Sequence, residues 1–357
     1  MSEARTARRG RVERVVAAGA RIADGRDPLG EEARRRLPEA SGLSREGVEL
    51  ALAEHLEIRP RAEELDALVA AAGAARRCRV VLAANVCTAA LRALAVAVAT
   101  APEVLVRPSR RDPVVAELLV RALQEDARFQ GWIELAASGV AGEAGDELHV
   151  YGTDETVAAL RAEVGPGVIV RGHGAGLGVA VVGADADLCA AAEGLAADVV
   201  PFDQRGCLSP RAALVEGPPE RAVALARALP EALARARAGV PRGPLDEAAR
   251  AEVANYRATL EAVGTYRGGE GGGVGLDPAP RSLILPPAAR VVHVAATSAA
   301  GAVGLLGPWV RVITAIGAAG AGPLVDAALA LVPRARRSAL GSMQRLPLDG
   351  PVDLRVR

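Results

Sequence analysis

The chain has 357 residues, half of them hydrophobic but only 2% aromatic, and its 43 basic and 43 acidic residues cancel. A neutral balance leaves no electrostatic footprint for nucleic acid. Every basic residue is arginine, which excludes lysine Schiff-base chemistry.

That length accommodates two domains. Alanine, valine, leucine and glycine must fill the cores, which suits alanine-rich helices packed on sheets. The four cysteines, Cys78, Cys87, Cys189 and Cys207, form no Cys-x-x-Cys pair, and no histidine stands at metal-ligand spacing. They read as free thiols in a reducing compartment, with no zinc site. Met1 to Arg14 is charged and lacks the apolar run of a signal peptide. Pro308, Arg311 and several glycines interrupt the apolar stretch Val291 to Leu331, so no membrane span is expected. A soluble cytoplasmic protein is the expectation.

Residues 1–75 read as a polar helical segment. Ser44 is positioned as an N-cap, and Val48, Leu52, His55 and Leu56 follow on one face. Pro60 breaks the pattern, and Ala62 to Ala72 resumes it. From Cys78 the pattern alternates. Arg79 to Ala83 reads as a buried strand, Ala84 to Thr88 as a loop, Ala89 to Thr100 as a helix and Glu103 to Arg107 as a strand. Asp112 reads as the cap of the next helix, with Pro113 in its first turn. Glu147 to Tyr151 is a further strand, Gly152-Thr153 a turn, and Asp154 to Val164 a helix. Val168 to Val170 leads into the loop Gly172-His173-Gly174-Ala175-Gly176. Strand, helix, strand, helix is the signature of a parallel α/β fold.

No Gly-x-Gly-x-x-Gly follows the first strand, so an ordinary dinucleotide fingerprint is absent. The Gly152-Thr153 turn still offers backbone N–H groups and a hydroxyl at a helix N-terminus, suited to phosphate.

A second series begins at Val179 to Val182 with a strand, then a helix over Ala184 to Ala196. The stretch Pro201-Phe202-Asp203-Gln204-Arg205-Gly206-Cys207-Leu208-Ser209-Pro210 follows. It sets Cys207 after a glycine at an expected strand-to-helix junction. There the thiol is either an acyl-accepting nucleophile beside backbone N–H donors or a buried structural cysteine. Leu208 to Leu214 returns to the sheet, Pro218 to Ala238 is helical, and another helix runs through Val263. Gly264 to Gly275 reads as too glycine-rich for one conformation, either a lid or a flexible surface loop. Ser282 to Leu285 and Val291 to Val294 read as strands. The tail Gln344 to Arg357 alternates as a strand would. It pairs either with another subunit, implying a homo-oligomer, or with its own sheet.

Four motifs together resemble the aldehyde dehydrogenase superfamily, and within it the long-chain acyl-CoA reductases of the bioluminescence type. They are Ala84-Asn85-Val86, Val106-Arg107-Pro108-Ser109-Arg110-Arg111-Asp112-Pro113, Tyr151-Gly152-Thr153-Asp154-Glu155, and the cysteine turn from Phe202 to Pro210. The resemblance spans roughly residues 40–350. It implies a Rossmann-type cofactor domain over 76–172, preceded by the helical segment 1–75. It also implies an α/β catalytic domain over 173–340 and a C-terminal arm over 341–357.

By the same resemblance Cys207 holds the acyl group as a thioester, and Asn85 hydrogen-bonds the oxyanion. Gly152 and Thr153 contact the cofactor pyrophosphate, while Arg107 and Ser109 stand near the adenosine ribose. Arg107, Arg110 and Arg111 either bind a 2′-phosphate as guanidinium forks or solvate a loop. With no acidic residue directly beside Ser109 in the sequence, NADPH is favoured and NADH is the alternative. Hydrolytic superfamily members carry a Glu-Leu-Gly-Gly base where this chain has Arg171 to Gly176, with no carboxylate. His173 there is either a substitute base or donor, or a residue without a role. The implied activity is NADPH-dependent reduction of an acyl-CoA or acyl-carrier thioester to an aldehyde. The alternatives are an aldehyde dehydrogenase releasing free acid and a non-catalytic relative that only binds partners.

Overall fold

The computed structural model describes residues 3–136, 142–269 and 271–355. They form two compact units, Met1–Ala175 with Pro347–Arg357, and Gly176–Leu346.

The first unit is built on five parallel strands: β1 (Arg77–Val81), β2 (Glu103–Arg107), β3 (Trp132–Leu135), β4 (Glu147–Tyr151) and β5 (Ile169–His173). Their order is β3-β2-β1-β4-β5, so the chain winds outward from β1 and then returns to its other side. Helices α1 (Glu3–Ala23), α2 (Pro28–Ser41), α3 (Arg45–Glu54) and α4 (Ala62–Ala71) precede the sheet. Between its strands run α5 (Ala89–Thr100), α6 (Val114–Glu125) and α7 (Asp154–Glu163). Every residue of α5 from Ala90 to Thr100 is buried. A helix apolar all round has to be enclosed, and α5 is, between β1 and helices α1 and α4. On α7, Leu160 with Val157 and Val164 packs on Leu148 and Val150 of β4. A Cβ at Gly172 would strike Val157, so glycine lets β5 and α7 approach.

Arg92, on α5, is only 3% exposed. Its guanidinium donates to Glu57 at 2.9 Å, to the Gly350 carbonyl at 2.7 Å and to the Pro347 carbonyl at 2.8 Å. The expected C-terminal strand is therefore absent among residues 344–355. Pro347, Gly350 and Pro351 interrupt a ladder, and the carbonyls are spent on Arg92 instead. Val356 lies outside the described residues.

The second unit holds seven strands: β6 (Leu177–Val182), β7 (Pro210–Glu216), β8 (Thr265–Gly269), β9 (Gly272–Asp277), β10 (Val291–Thr297), β11 (Ile313–Ala319) and β12 (Arg336–Ala339). Their order is β12-β11-β6-β7-β10-β9-β8, and only the β8–β9 pairing is antiparallel. Its helices are α8 (Leu188–Val199), α9 (Pro219–Gly239), α10 (Glu247–Glu261), α11 (Ala299–Leu306) and α12 (Pro323–Leu331). One apolar cluster gathers Val179, Val181, Leu214, Leu306, Ile316 and Leu324 from strands and helices.

Three expectations need correction. The glycine-rich stretch is a hairpin, with Thr265 paired to Leu276 and Gly269 to Gly272, and Glu270 lies outside the described residues. A Cβ at Gly273 would meet the Tyr266 ring, so glycine makes room for the ring that covers the ladder. Ser282 to Leu285 is not a strand, because Pro278, Pro280, Pro286 and Pro287 flank it and cannot donate to a ladder. Nor does Asp112 cap α6, whose N-cap is Pro113 without any side-chain cap bond.

Candidate active site

In the second unit α8 ends at Val199, and a tight turn, Pro201–Gln204, follows. Phe202, Asp203 and Gln204 hold φ of 54°, 53° and 67°. Three successive non-glycine residues in the left-handed region cost about 1–3 kcal/mol each and persist only where the surroundings hold them. Here they are held. The buried Gln204 amide donates to the carbonyls of Pro210 at 2.8 Å and Val291 at 2.7 Å. Its oxygen accepts from the N–H groups of Ala289 at 3.2 Å and Val291 at 2.8 Å. The Asp203 carboxylate pairs with Arg290 at 2.7 Å and accepts from Gly243 N–H at 3.1 Å.

Cys207 follows this turn and stands half-buried between the buried residues Gly206 and Leu208. Its junction is helix-to-strand, leading into β7, rather than the strand-to-helix junction expected. A Cβ at Gly176 would lie 3.1 Å from the Cys207 Cβ and 2.5 Å from Thr314 Cγ2. Glycine there leaves the thiol its space. The Thr314 hydroxyl lies 3.0 Å from the Leu177 carbonyl and also within bonding reach of the Cys207 carbonyl. With one proton it serves one of them at a time. Nothing in the sequence marks Thr314 or Arg290, because each meets the turn only through the fold.

In the first unit a cleft of about 770 Å³ opens at the carboxyl ends of β1, β2 and β4. Asn85, Arg107, Ser109, Arg110, Gly152 and Thr153 all line it. This is where an open parallel sheet binds ligands, at the point where its winding reverses. Thr153 caps α7, its hydroxyl accepting from Thr156 N–H at 3.2 Å. Gly152, Thr153 and Thr156 thus set the N-terminus of α7 at the cleft's rim, the end of a helix that favours phosphate. Among the described residues neither Arg107 nor Arg110 has a side-chain hydrogen bond or ion pair, whereas Arg111 donates to the Ala84 carbonyl at 3.2 Å. Arg111 thus braces the loops after β1 and β2. The cleft wall does include an acidic residue, contrary to the sequence expectation. Glu117 of α6 lines it, and Arg36 pairs with Glu117 at 2.6 Å. The position lies eight residues beyond Ser109, one loop and one helical turn away, so local spacing hides it.

His173 ends β5 rather than sitting in a loop, and it is buried. Its ring stacks on Tyr151 with centroids 4.3 Å apart and planes 6° from parallel. Burial, with His149 nearby, pushes its pKa down to about 3, so the imidazole is neutral. Beside it Glu147 accepts from Arg171 at 2.7 Å and lies 3.2 Å from His149 Nε2. Burial alone would raise the Glu147 carboxyl, but these partners outweigh it and hold the pKa at about 2. Asp154 also touches the Arg171 to Gly176 stretch, at its other end, where it accepts from Ala175 N–H at 3.0 Å.

A nucleotide cofactor fits this donor set: two unpaired guanidiniums, a hydroxyl and a helix N-terminus around one cleft. No group of three or more His, Cys, Asp or Glu among the described residues could hold a metal ion, and no described helix is long and apolar enough to cross a membrane.

The fold is that of aldehyde dehydrogenases. The fold is similar to a NAD-dependent benzaldehyde dehydrogenase from Corynebacterium glutamicum at a TM-score of 0.70 and 16% identity, over 94% of this chain and 80% of that one. PnpE from Pseudomonas sp. WBC-3 superposes at a TM-score of 0.71 and 14% identity, over 98% of this chain and 81% of the other. Lactaldehyde dehydrogenase from Escherichia coli does so at 0.65 and 16%, over 95% and 79%. No curated protein sequence matches the chain. The pattern of the acyl-CoA reductase (LuxC) family matches residues 73–350, and the chain belongs to that family. It is an enzyme of acyl-thioester reduction to aldehyde, working with a nicotinamide cofactor.

Proposed function

We propose that Cys207 accepts the acyl group of a long-chain acyl-CoA or acyl-carrier thioester, and that the cleft of the first unit binds NADPH. The observation that carries this reading is a half-exposed thiol directly after a strained turn whose every polar side-chain group is tied down. Preorganisation of that kind is what covalent catalysis asks of its nucleophile.

The Cys207 thiolate attacks the thioester carbonyl, and the tetrahedral oxyanion forms. The Asn85 amide donates to that oxyanion, by analogy with the family asparagine. The carbon–sulfur bond to the carrier then breaks, and the carrier leaves as a thiolate that takes its proton from water, with the acyl group on Cys207. Reduction of this acyl group to the aldehyde level would draw its hydride from a reduced nicotinamide held in the cleft. Collapse of the resulting hemithioacetal alkoxide frees the aldehyde and returns the Cys207 thiolate. Arg107 and Arg110 would hold a 2′-phosphate, and Gly152 and Thr153 the pyrophosphate. We assign His173 no proton transfer, since a buried neutral ring stacked on Tyr151 serves as packing.

Cys207→Ala should abolish thioester-dependent NADPH consumption and the acyl adduct visible by intact mass. Retention of either would sink the mechanism. Release of free acid is the competing outcome. It lacks a base in the Arg171 to Gly176 stretch, where Asp154 is committed to a backbone N–H. General-base help is worth roughly a hundredfold or more, so product analysis should find aldehyde and little acid.

A further inference from the structure

We propose that Arg36 sets the cofactor preference of the cleft by drawing the Glu117 carboxylate out of it. The inference rests on the reading of the cleft as the nucleotide site. Glu117 stands on a ridge, lining both the cleft and a neighbouring groove that Arg36, Arg121 and Gln124 line. Arg36 lines only the groove, so its 2.6 Å bond to Glu117 pulls the carboxylate to the groove side.

Arg36 is itself held. It bonds Glu32 one turn earlier on α2 at 2.8 Å, and Glu32 bonds Arg121 of α6 at 2.6 Å. The four charges alternate in sign, from Arg121 of α6 through Glu32 and Arg36 of α2 to Glu117 of α6. With Glu117 engaged at the end of this ladder, the cleft's uncompensated charge is that of Arg107 and Arg110, which suits a 2′-phosphate. A free carboxylate in the same wall would accept from a ribose 2′-hydroxyl and repel a 2′-phosphate, as acidic residues do in NAD sites. As a structural tie alone the Arg36–Glu117 pair has little purpose. Both side chains are about a third exposed, at 35% and 33%, and such pairs add only ~0–1 kcal/mol.

The experiment measures kcat/KM and dissociation constants for NADPH and NADH in the whole protein and in Arg36→Met, Arg36→Lys, Glu117→Gln and the Arg36→Met/Glu117→Gln double variant. Arg36→Met should lower the NADPH-to-NADH preference about tenfold or more, the scale of one hydrogen bond to a charged group. The loss should appear in the KM for NADPH rather than in kcat. The double variant should recover the wild-type ratio, and Arg36→Lys should keep most of it. If the wild type prefers NADPH and Arg36→Met leaves the ratio unmoved at an unchanged denaturation midpoint, the role of Arg36 falls and the site stands. If the wild type prefers NADH and Glu117→Gln weakens NADH binding, both the 2′-phosphate subsite and this inference fall.

Discussion

Asp203 and Arg290, separated by 87 residues, pair in the interior of the second unit with both backbones in the left-handed region, at φ 53° and 58°. Each side chain secures the other's unfavourable backbone. Burial lowers the Arg290 pKa and its partner Asp203 counters this, so the charge is kept by the pair. Removing one partner of such a buried pair costs about 3–5 kcal/mol. Asp203→Ala should lose stability on that scale in urea denaturation, and thioester reduction should fall with it. An unchanged midpoint would show that the turn holds itself.

Gly176 governs the room around the nucleophile. Gly176→Ala presses on the Cys207 Cβ and on Thr314, and misplacement of a reacting group by about 1 Å can cost ~100-fold. Turnover should drop by more than tenfold, while far-ultraviolet circular dichroism stays native. The rate of Cys207 alkylation, read in the same variant, reports whether the thiol has moved. Wild-type turnover would mean that the neighbours yield freely.

The arginines of the cleft should separate the two cofactors. Arg110→Met is expected to raise the KM for NADPH about tenfold, the loss of a charge-assisted contact, with a smaller effect on NADH. Equal effects on both would place Arg110 away from any 2′-phosphate.

Acid should unfold the protein through its buried imidazoles. Burial lowers His173 to about 3 and His293 to about 4. An unfolded histidine titrates near ~6.5, so between these values the unfolded chain binds more protons. Stability is then complete above ~6.5 and declines as pH falls towards the native values. Urea midpoints should fall from pH 7 to pH 4, with a shallower slope in His293→Gln. A slope unaffected by that substitution would exclude His293 as a source.

Where valine and leucine filled the inward positions of a short run bounded by proline or glycine, the strand could be read directly, as for β2 and β4. The edge strand β3 exposes all but Ile133, so it has no alternation to read. The β8–β9 hairpin hides behind its glycines, whose low strand propensity is overridden by the ladder and by the Tyr266 ring. The cleft was legible because its residues follow strand ends within a few positions. Glu117, Arg290 and Thr314 were not, since each acts through a partner that only the tertiary fold brings near.

Arg92 has a consequence for biosynthesis. Its interior charge is neutralised by Glu57, but its remaining donors are satisfied by carbonyls at positions 347 and 350. A nascent chain that has emerged only as far as residue 175 leaves those donors unmatched inside an apolar helix layer. The opening unit therefore lacks these bonds, at a cost of about 1–3 kcal/mol for each unsatisfied donor, until the intervening 171 residues of the second unit have been translated. Synthesis of the closing segment, rather than of the sheet itself, times its completion.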